Sequence, residues 1–268
     1  AASLFSKVRL IAIEHNNFDR EMADRGRLVR AITKILYRGL RSRVNLFVAV
    51  SEGVRQEISE HFPGCRIVAI HNPIIEDRLI QAVDDFEQGD QGGSVRHGIL
   101  FVGRLTEQKN PALALAVFKE LVDNHGYCGD LTILGEGPLQ QQLSEQAVIM
   151  GLSKRVKFAG FQQNPYTFMC QTQLIILTSR WEGFGNVLVE GLYCGAKVVA
   201  YDCDFGPREI INGATIGRLV PSLDAAEFAQ AVNEELLSES DWQAKRSRAL
   251  QFSVQVVAQK YEQLFEVS

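Results

Sequence analysis

Leu174-Ile175-Ile176-Leu177-Thr178-Ser179-Arg180-Trp181-Glu182-Gly183-Phe184-Gly185-Asn186-Val187-Leu188-Val189-Glu190 is the stretch on which the fold reading turns. It opens as a run of four apolar residues and passes through a polar loop with a Gly-Phe-Gly turn. It then resumes as a helix-like stretch from Val187 to Cys194. An apolar strand without alternation belongs to a parallel sheet covered on both faces. Glu182 and Glu190, with seven residues between them, sit just beyond that strand. Open α/β sheets bind their ligands at the carboxyl ends of their strands.

The same alternation extends in both directions. Downstream of residue 95, strands are predicted at 99–102, 131–134, 156–159 and 197–201. Helices are predicted from Pro111 to Val122, after the Gly135-Glu136-Gly137-Pro138 break to Met150, and at 166–170, 225–237, 242–251 and 254–265. Pro111 suits a first helical position. Upstream, strands are predicted at 8–13, 44–50 and 66–70, with helices at 23–41 and from a Ser51 cap to His61. The polar, glycine-rich stretch 89–94 separates the two blocks and reads as a linker. Strands alternating with helices in each block predict an α/β protein of two Rossmann-like domains with parallel sheets and a cleft between them. The expected division is 1–88, a linker at 89–94, a second domain at 95–251, and a C-terminal helix in 252–268 that can cross back to the first domain.

Composition excludes several classes. Hydrophobic residues make up 46% and charged residues 22% of the 268, the balance of a globular protein. The net charge of −4 gives no general attraction to nucleic acid. Residues 20–43 differ: eight Lys and Arg stand against Glu21 and Asp24. With Leu28, Ile32, Ile35 and Leu36 at helical spacing, this segment reads either as an ordinary surface helix or as a basic face for an anionic membrane. The five cysteines are scattered, which fits reduced thiols better than a disulfide frame or a zinc site.

Four places carry chemistry. Gly103-Arg104-Leu105-Thr106-Glu107-Gln108-Lys109 follows a buried strand, so Arg104 and Lys109 leave the sheet at its carboxyl end. Two neighbouring cations suit an anion with more than one charge, such as a diphosphate; solvated surface charges are the alternative. The turn Gly183-Phe184-Gly185-Asn186 precedes a helix whose free amides can receive phosphate oxygens. Glu182 and Glu190 are too far apart in sequence to attack one bond together, because eight helical residues span about 12 Å. Asp202-Cys203-Asp204 can hold a divalent cation or can simply be turn chemistry, and the following Gly206-Pro207 favours the turn. His15 ends the first strand, where it either faces the cleft or has no role.

Together, Gly103-Arg104-Leu105 with Lys109, the Glu182 and Glu190 pair around Gly-Phe-Gly, and Tyr201-Asp202-Cys203-Asp204-Phe205-Gly206-Pro207-Arg208-Glu209 resemble the retaining glycosyltransferases of family 4. The resemblance implies the GT-B fold and a hexosyltransferase-type activity. It implies a nucleotide-diphosphate sugar donor, with UDP as the nucleotide; because Arg104 and Lys109 already offer neutralisation, no metal or other cofactor is expected. The acceptor would be a glycan or lipid-linked molecule in polysaccharide, lipopolysaccharide or oligosaccharide synthesis. It places Arg104 and Lys109 on the diphosphate, Glu182 and His15 by the donor sugar, and Glu190 on the ribose. Gly103, Gly135, Gly137 and Phe161 fall near the nucleotide, and the turn of Gly183, Phe184, Gly185, Asn186, Val187 and Leu188 meets the phosphates. Separately from the resemblance, the scattered thiols point to a cytoplasmic protein, and the basic residues 20–43 can hold it peripherally on the inner face of the membrane. The family's first domain opens with a strand and glycine-rich loop that nothing before Val8 supplies. The expected N-terminal domain is therefore incomplete, and a catalytically silent nucleotide-sugar binding module is the alternative function.

Overall fold

The computed structural model describes residues 10–17, 19–20, 29, 32, 39, 44–89 and 96–266. Among them, nine strands form two sheets with parallel pairing throughout. The first sheet contains β1 (Leu10–Glu14), β2 (Val44–Ala49) and β3 (Ile67–Ala69) in that order. Helix α1 (Glu52–His61) joins β2 to β3, and α2 (Asp77–Gln88) follows. The expected helix at 23–41 and basic segment at 20–43 lie outside the described residues except for Arg20, Val29, Ile32 and Gly39. The expected linker 89–94 does so beyond Gly89.

In chain order, the second lobe runs β4 (Ile99–Val102), α3 (Pro111–Asn124), β5 (Leu131–Leu134), α4 (Gln140–Ile149) and β6 (Val156–Gly160). It continues with α5 (Tyr166–Gln171), β7 (Leu174–Leu177), α6 (Asn186–Tyr193), β8 (Lys197–Tyr201), α7 (Pro207–Ile210) and β9 (Arg218–Val220). Helices α8 (Ala225–Leu237), α9 (Trp242–Leu250) and α10 (Val254–Glu266) complete the described chain. The strand order β6-β5-β4-β7-β8-β9 is what matters for function. The chain builds outward from β4 to β6, then returns to the other side of β4 and builds away through β7. The loops after β4 and β7 therefore leave in opposite directions and open a crevice between them. Such a switch point is where doubly wound sheets take their ligands.

Both sheet faces are covered, which explains the continuous apolar strands. Leu100, Ile175, Leu177 and Val198 pack with Leu188 and Leu192 of α6, while Ile99, Phe101, Ile133 and Ile176 pack with Leu115, Phe118 and Phe228 of α3 and α8. Local caps set the helix starts. Asn110, left-handed at φ 49°, precedes Pro111, and Asp224 accepts the Ala226 and Glu227 amides at 3.0 Å.

Three elements depart from the sequence reading, the four-residue helix α7 among them. Helix α2 was not anticipated, although Leu79, Val83 and Phe86 hold helical spacing. Strand β9 has three residues, too few to show a period. Helix α2 also shifts the boundary between lobes. Leu79 and Val83 are buried with Met169 and Cys170 of α5 in the second lobe's core, so the chain has changed lobes before residue 88. The crossing lies at Ile74 and Ile75, whose amides donate to the Phe252 carbonyl at 2.8 and 3.2 Å. From there α10 returns to the first sheet, where Val257 packs with Leu46, Val48 and Ile70.

Candidate active site

The crevice at the switch point is a cleft of about 380 Å³. The loop after β4 contributes Arg104, Gln108 and Lys109; the loop after β7 contributes Glu182, Gly183, Phe184 and Gly185; α6 contributes Asn186, Val187 and Glu190. His15, Asn16 and Asn72 close it from the first lobe. The two second-lobe loops are stitched together. The Arg180 amide donates to the Gln108 carbonyl at 2.8 Å, and the Gln108 side chain donates to the Trp181 carbonyl at 3.2 Å. Thr178 Oγ1 donates to the Lys109 and Asn110 carbonyls at 3.1 and 2.9 Å.

The charges are arranged differently from two free cations. Lys109 Nζ lies 2.6 Å from Glu182 Oε1, and the Glu182 side chain is only 7% exposed. One cation is thus held in an ion pair inside the cleft. Arg104 is exposed and bonds only loosely to Gln108, at 3.3 Å. Glu190 shares the cavity with Glu182 across the helix start. Burial, and secondly the charge of Glu76, push the Glu190 carboxyl up to about 7.

That shift has a stability consequence. A carboxyl whose folded pKa exceeds its ordinary 4.5 binds its proton more tightly when folded, so stability falls as pH rises from about 4.5 to about 7 and then levels off. At ~1.4 kcal/mol per unit, the full span is about 3 kcal/mol. Glu190→Gln, which cannot ionise, is expected to be more stable than the wild type by about 2–3 kcal/mol at pH 8, with most of that gain gone at pH 5. Urea denaturation at both pH values measures it. An equal difference at the two values would show that burial of the charge is not the cause.

Helix α6 starts at the turn. Gly185 adopts φ 99°, a conformation that favours glycine. The Leu188 amide donates to the Gly185 carbonyl at 2.9 Å and its side chain is fully buried, so Leu188 is engaged in the turn and core rather than presented to a ligand. The amides of Asn186 and Val187, the first two of the helix, have no acceptor within it. Phe184 borders the cleft, but its ring is buried 4.8 Å from the His71 ring and 5.2 Å from that of Phe252. Gly183 is where the lobes touch: a β-carbon there would lie 2.1 Å from the His15 carbonyl oxygen.

A second, more apolar slot of about 290 Å³ adjoins the cleft through Val102 and Arg104. It is bounded by Gly103, Leu134, Gly135, Phe161 and Pro165, and by Glu136, which accepts the Phe161 amide at 3.3 Å. Gly135, at φ 132°, allows the two loops to cross, since a β-carbon would fall 1.9 Å from the Gly103 carbonyl oxygen. Gly137 lines neither cavity. It packs against the Leu105 backbone, 2.4 Å from where its β-carbon would stand, which is a folding constraint. Asn72, Asn16 and Gln108 were missed as cleft residues. Asn72 had a signal, because the His-Asn-Pro triplet ends a strand, whereas Asn16 and Gln108 look like any loop amide.

The Asp202-Cys203-Asp204 residues do not converge. Asp202 pairs with Arg208, and Asp204 lies 3.4 Å from Arg20. Burial, followed by the charge of Glu182, pushes the Cys203 thiol up to about 12. Among the described residues, no three of His, Cys, Asp and Glu group as metal ligands do. Likewise, no helix among them is long and apolar enough to cross a membrane.

Residues 95–251, more than half of the chain, match the family of glycosyl transferases group 1. The chain belongs to that family. Among curated relatives, a Campylobacter jejuni N-acetylgalactosaminyltransferase acting on N-acetylgalactosamine-N,N'-diacetylbacillosaminyl-diphospho-undecaprenol is 31% identical over 194 residues, covering 70% of this chain and 50% of the relative. The amylovoran biosynthesis glycosyltransferase AmsD of Erwinia amylovora is 24% identical over 96% of this chain and 70% of its own. Anabaena HepE, solved with UDP-glucose, superposes over 100% of this chain and 74% of its own with a TM-score of 0.78 at 20% identity, which shows the GT-B fold. This group 1 glycosyl transferase spans about half the length of relatives such as the Campylobacter enzyme.

Proposed function

We propose that this chain carries the donor site of a glycosyltransferase that moves a sugar from UDP to a hydroxyl of a glycan or lipid-linked acceptor in cell-surface polysaccharide or lipopolysaccharide synthesis. The observation that carries the reading is the meeting of Arg104, Lys109 and the Asn186 and Val187 amides with both glutamates in one cleft at the switch point. Two cationic side chains from the loop after β4 and two amides from the start of α6 surround a space suited to a diphosphate, and fixed donors of this kind stabilise charge that develops on a leaving group. The apolar slot next to it fits a flat base, with the Phe161 ring 72% exposed at its rim. Glu190, in the wall of the cleft, is the acceptor for a ribose diol. UDP as the nucleotide is supported by HepE and by S. aureus TarM, which was solved with UDP. The acceptor class is supported by the names of the Campylobacter and Erwinia relatives.

In this reading transfer proceeds with retention, and the buried Glu182 carboxylate supports positive charge at the sugar. The cations and amides, in the same reading, neutralise the departing diphosphate without a metal. Calorimetry with UDP and GDP in EDTA tests the site: UDP is expected to bind with a Kd of about 10–100 μM, in the range of ordinary substrate affinities. No binding at about 1 mM, or binding abolished by EDTA, would remove the donor assignment or its metal independence respectively. Transfer to a lipid-linked acceptor, with the product anomer read by NMR, tests retention. Binding without turnover would favour the silent module.

A further inference from the structure

Away from the cleft floor, a carboxylate of the second lobe reaches the start of helix α1 in the first. The first three amides of helix α1, those of Glu52, Gly53 and Val54, have no acceptor inside the helix. Ser51 Oγ accepts from Val54 at 3.2 Å. The other two, Glu52 and Gly53, donate to the carboxylate of Glu209 in α7 of the second lobe, at 2.9 and 3.2 Å. Glu209 Oε2 also lies 2.9 Å from His71 Nε2. Burial alone would raise the Glu209 pKa, but the His71 bond and the two amides outweigh it and hold the carboxyl below its usual range.

His71 is the hub of this contact. Its ring packs 4.8 Å from Phe184 in the Gly-Phe-Gly turn and 5.3 Å from Phe252 at the lobe crossing. The next residue, Asn72, donates to Asn186 Oδ1 at 2.9 Å, at the start of α6 inside the cleft. The Phe205 ring seals the joint, since a β-carbon at Gly53 would come within 2.2 Å of it. Arg248 pins α7 from behind through the carbonyls of Glu209 and Ile210.

We propose that Glu209 is an interlobe latch: through α1 and His71 it positions Asn72 and the first-lobe wall against Asn186 at the diphosphate end of the cleft. It is a positioning residue, remote from the reacting atoms, and its role in transfer rests on the donor-site reading above. Most of the donor's binding surface belongs to the second lobe, so losing the latch should spare donor affinity. Misplacing the first lobe by ~1 Å should cost about 100-fold in turnover.

Glu209→Ala and Glu209→Gln in the full chain test this. In Glu209→Ala, hydrogen exchange is expected to speed up together, by about tenfold or more, in segments 51–54, 71–74 and 183–188, while the second-lobe strands stay protected. UDP affinity should change by less than about threefold while kcat falls by about 30-fold or more, and Glu209→Gln should lie between. Faster exchange confined to segment 51–54, or an unchanged kcat, would reduce Glu209 to a helix cap and overturn the latch. If the alanine variant does not fold, the exchange pattern of Glu209→Gln decides. A wild-type chain that fails to bind UDP overturns the donor reading instead, and the latch then stands or falls on exchange alone.

Discussion

Lys109→Ala is expected to lower sugar transfer by about 100- to 1,000-fold, the usual cost of removing a fixed donor to a developing negative charge. It should also destabilise the fold by about 3–5 kcal/mol, because it strands the Glu182 carboxylate, only 5% exposed as a residue, without its counter-ion. The two effects have different origins and can be separated. Lys109→Met combined with Glu182→Gln removes both charges at similar volume. Most of the stability should return, since a buried pair replaced as a unit is often near neutral. Transfer should not return, because the diphosphate still lacks its cation. Arg104→Ala gives the contrast: Arg104 is exposed and has no buried partner to strand, so activity should fall with little change in stability. Urea denaturation and initial rates on the three variants decide the matter. Wild-type kinetics in Lys109→Ala would end the assignment of this lysine to the leaving group.

Gly183→Ala is expected to lower kcat by about 100-fold with a much smaller effect on UDP binding. A methyl group there would stand 2.1 Å from the His15 carbonyl oxygen and 3.0 Å from the Asn16 α-carbon. Carbon contacts settle at about 3.5–4.0 Å, so something must move by an ångström or more. The obstacle is backbone, which cannot rotate away as a side chain can. The first lobe must back off, taking His15 and Asn16 with it, while Arg104, Lys109 and α6 stay in place. Steady-state kinetics beside calorimetry with UDP read the split. A variant with wild-type kcat would show that the close approach of the lobes at this glycine does not matter for transfer.

Much of the second lobe could be read directly from residues. Strands β4, β7 and β8 each hold four consecutive apolar positions, uninterrupted because both sheet faces are buried there. The loops after β4 and β7 announced themselves because Arg104, Lys109, Glu182 and the glycines occur where a strand must end. The parts that escaped reading share a cause. Gly137 and Leu188 stand inside motifs, yet their neighbours claim them: the Leu105 backbone crowds one, and the Gly185 carbonyl takes the amide of the other. The lysine's pairing with Glu182 joins residues 73 positions apart, and no local pattern encodes it. The Glu209 contact to α1 joins positions about 157 apart, and the chain around Glu209 reads as an ordinary turn.

Taken by itself, the chain's order of apolar runs and turn residues determined that parallel sheets form and that cations, amides and carboxylates emerge at their carboxyl ends. These follow from period and from local backbone preference, which act over a few residues. Tertiary structure alone decided which of those groups meet. The return of the chain from β6 to β7 across β4 brought two distant loops to one crevice. The crossing at Ile74 and Phe252 set one lobe on the other. Both depend on burial of apolar faces far apart in sequence, and contact at that range is a property of the packed molecule.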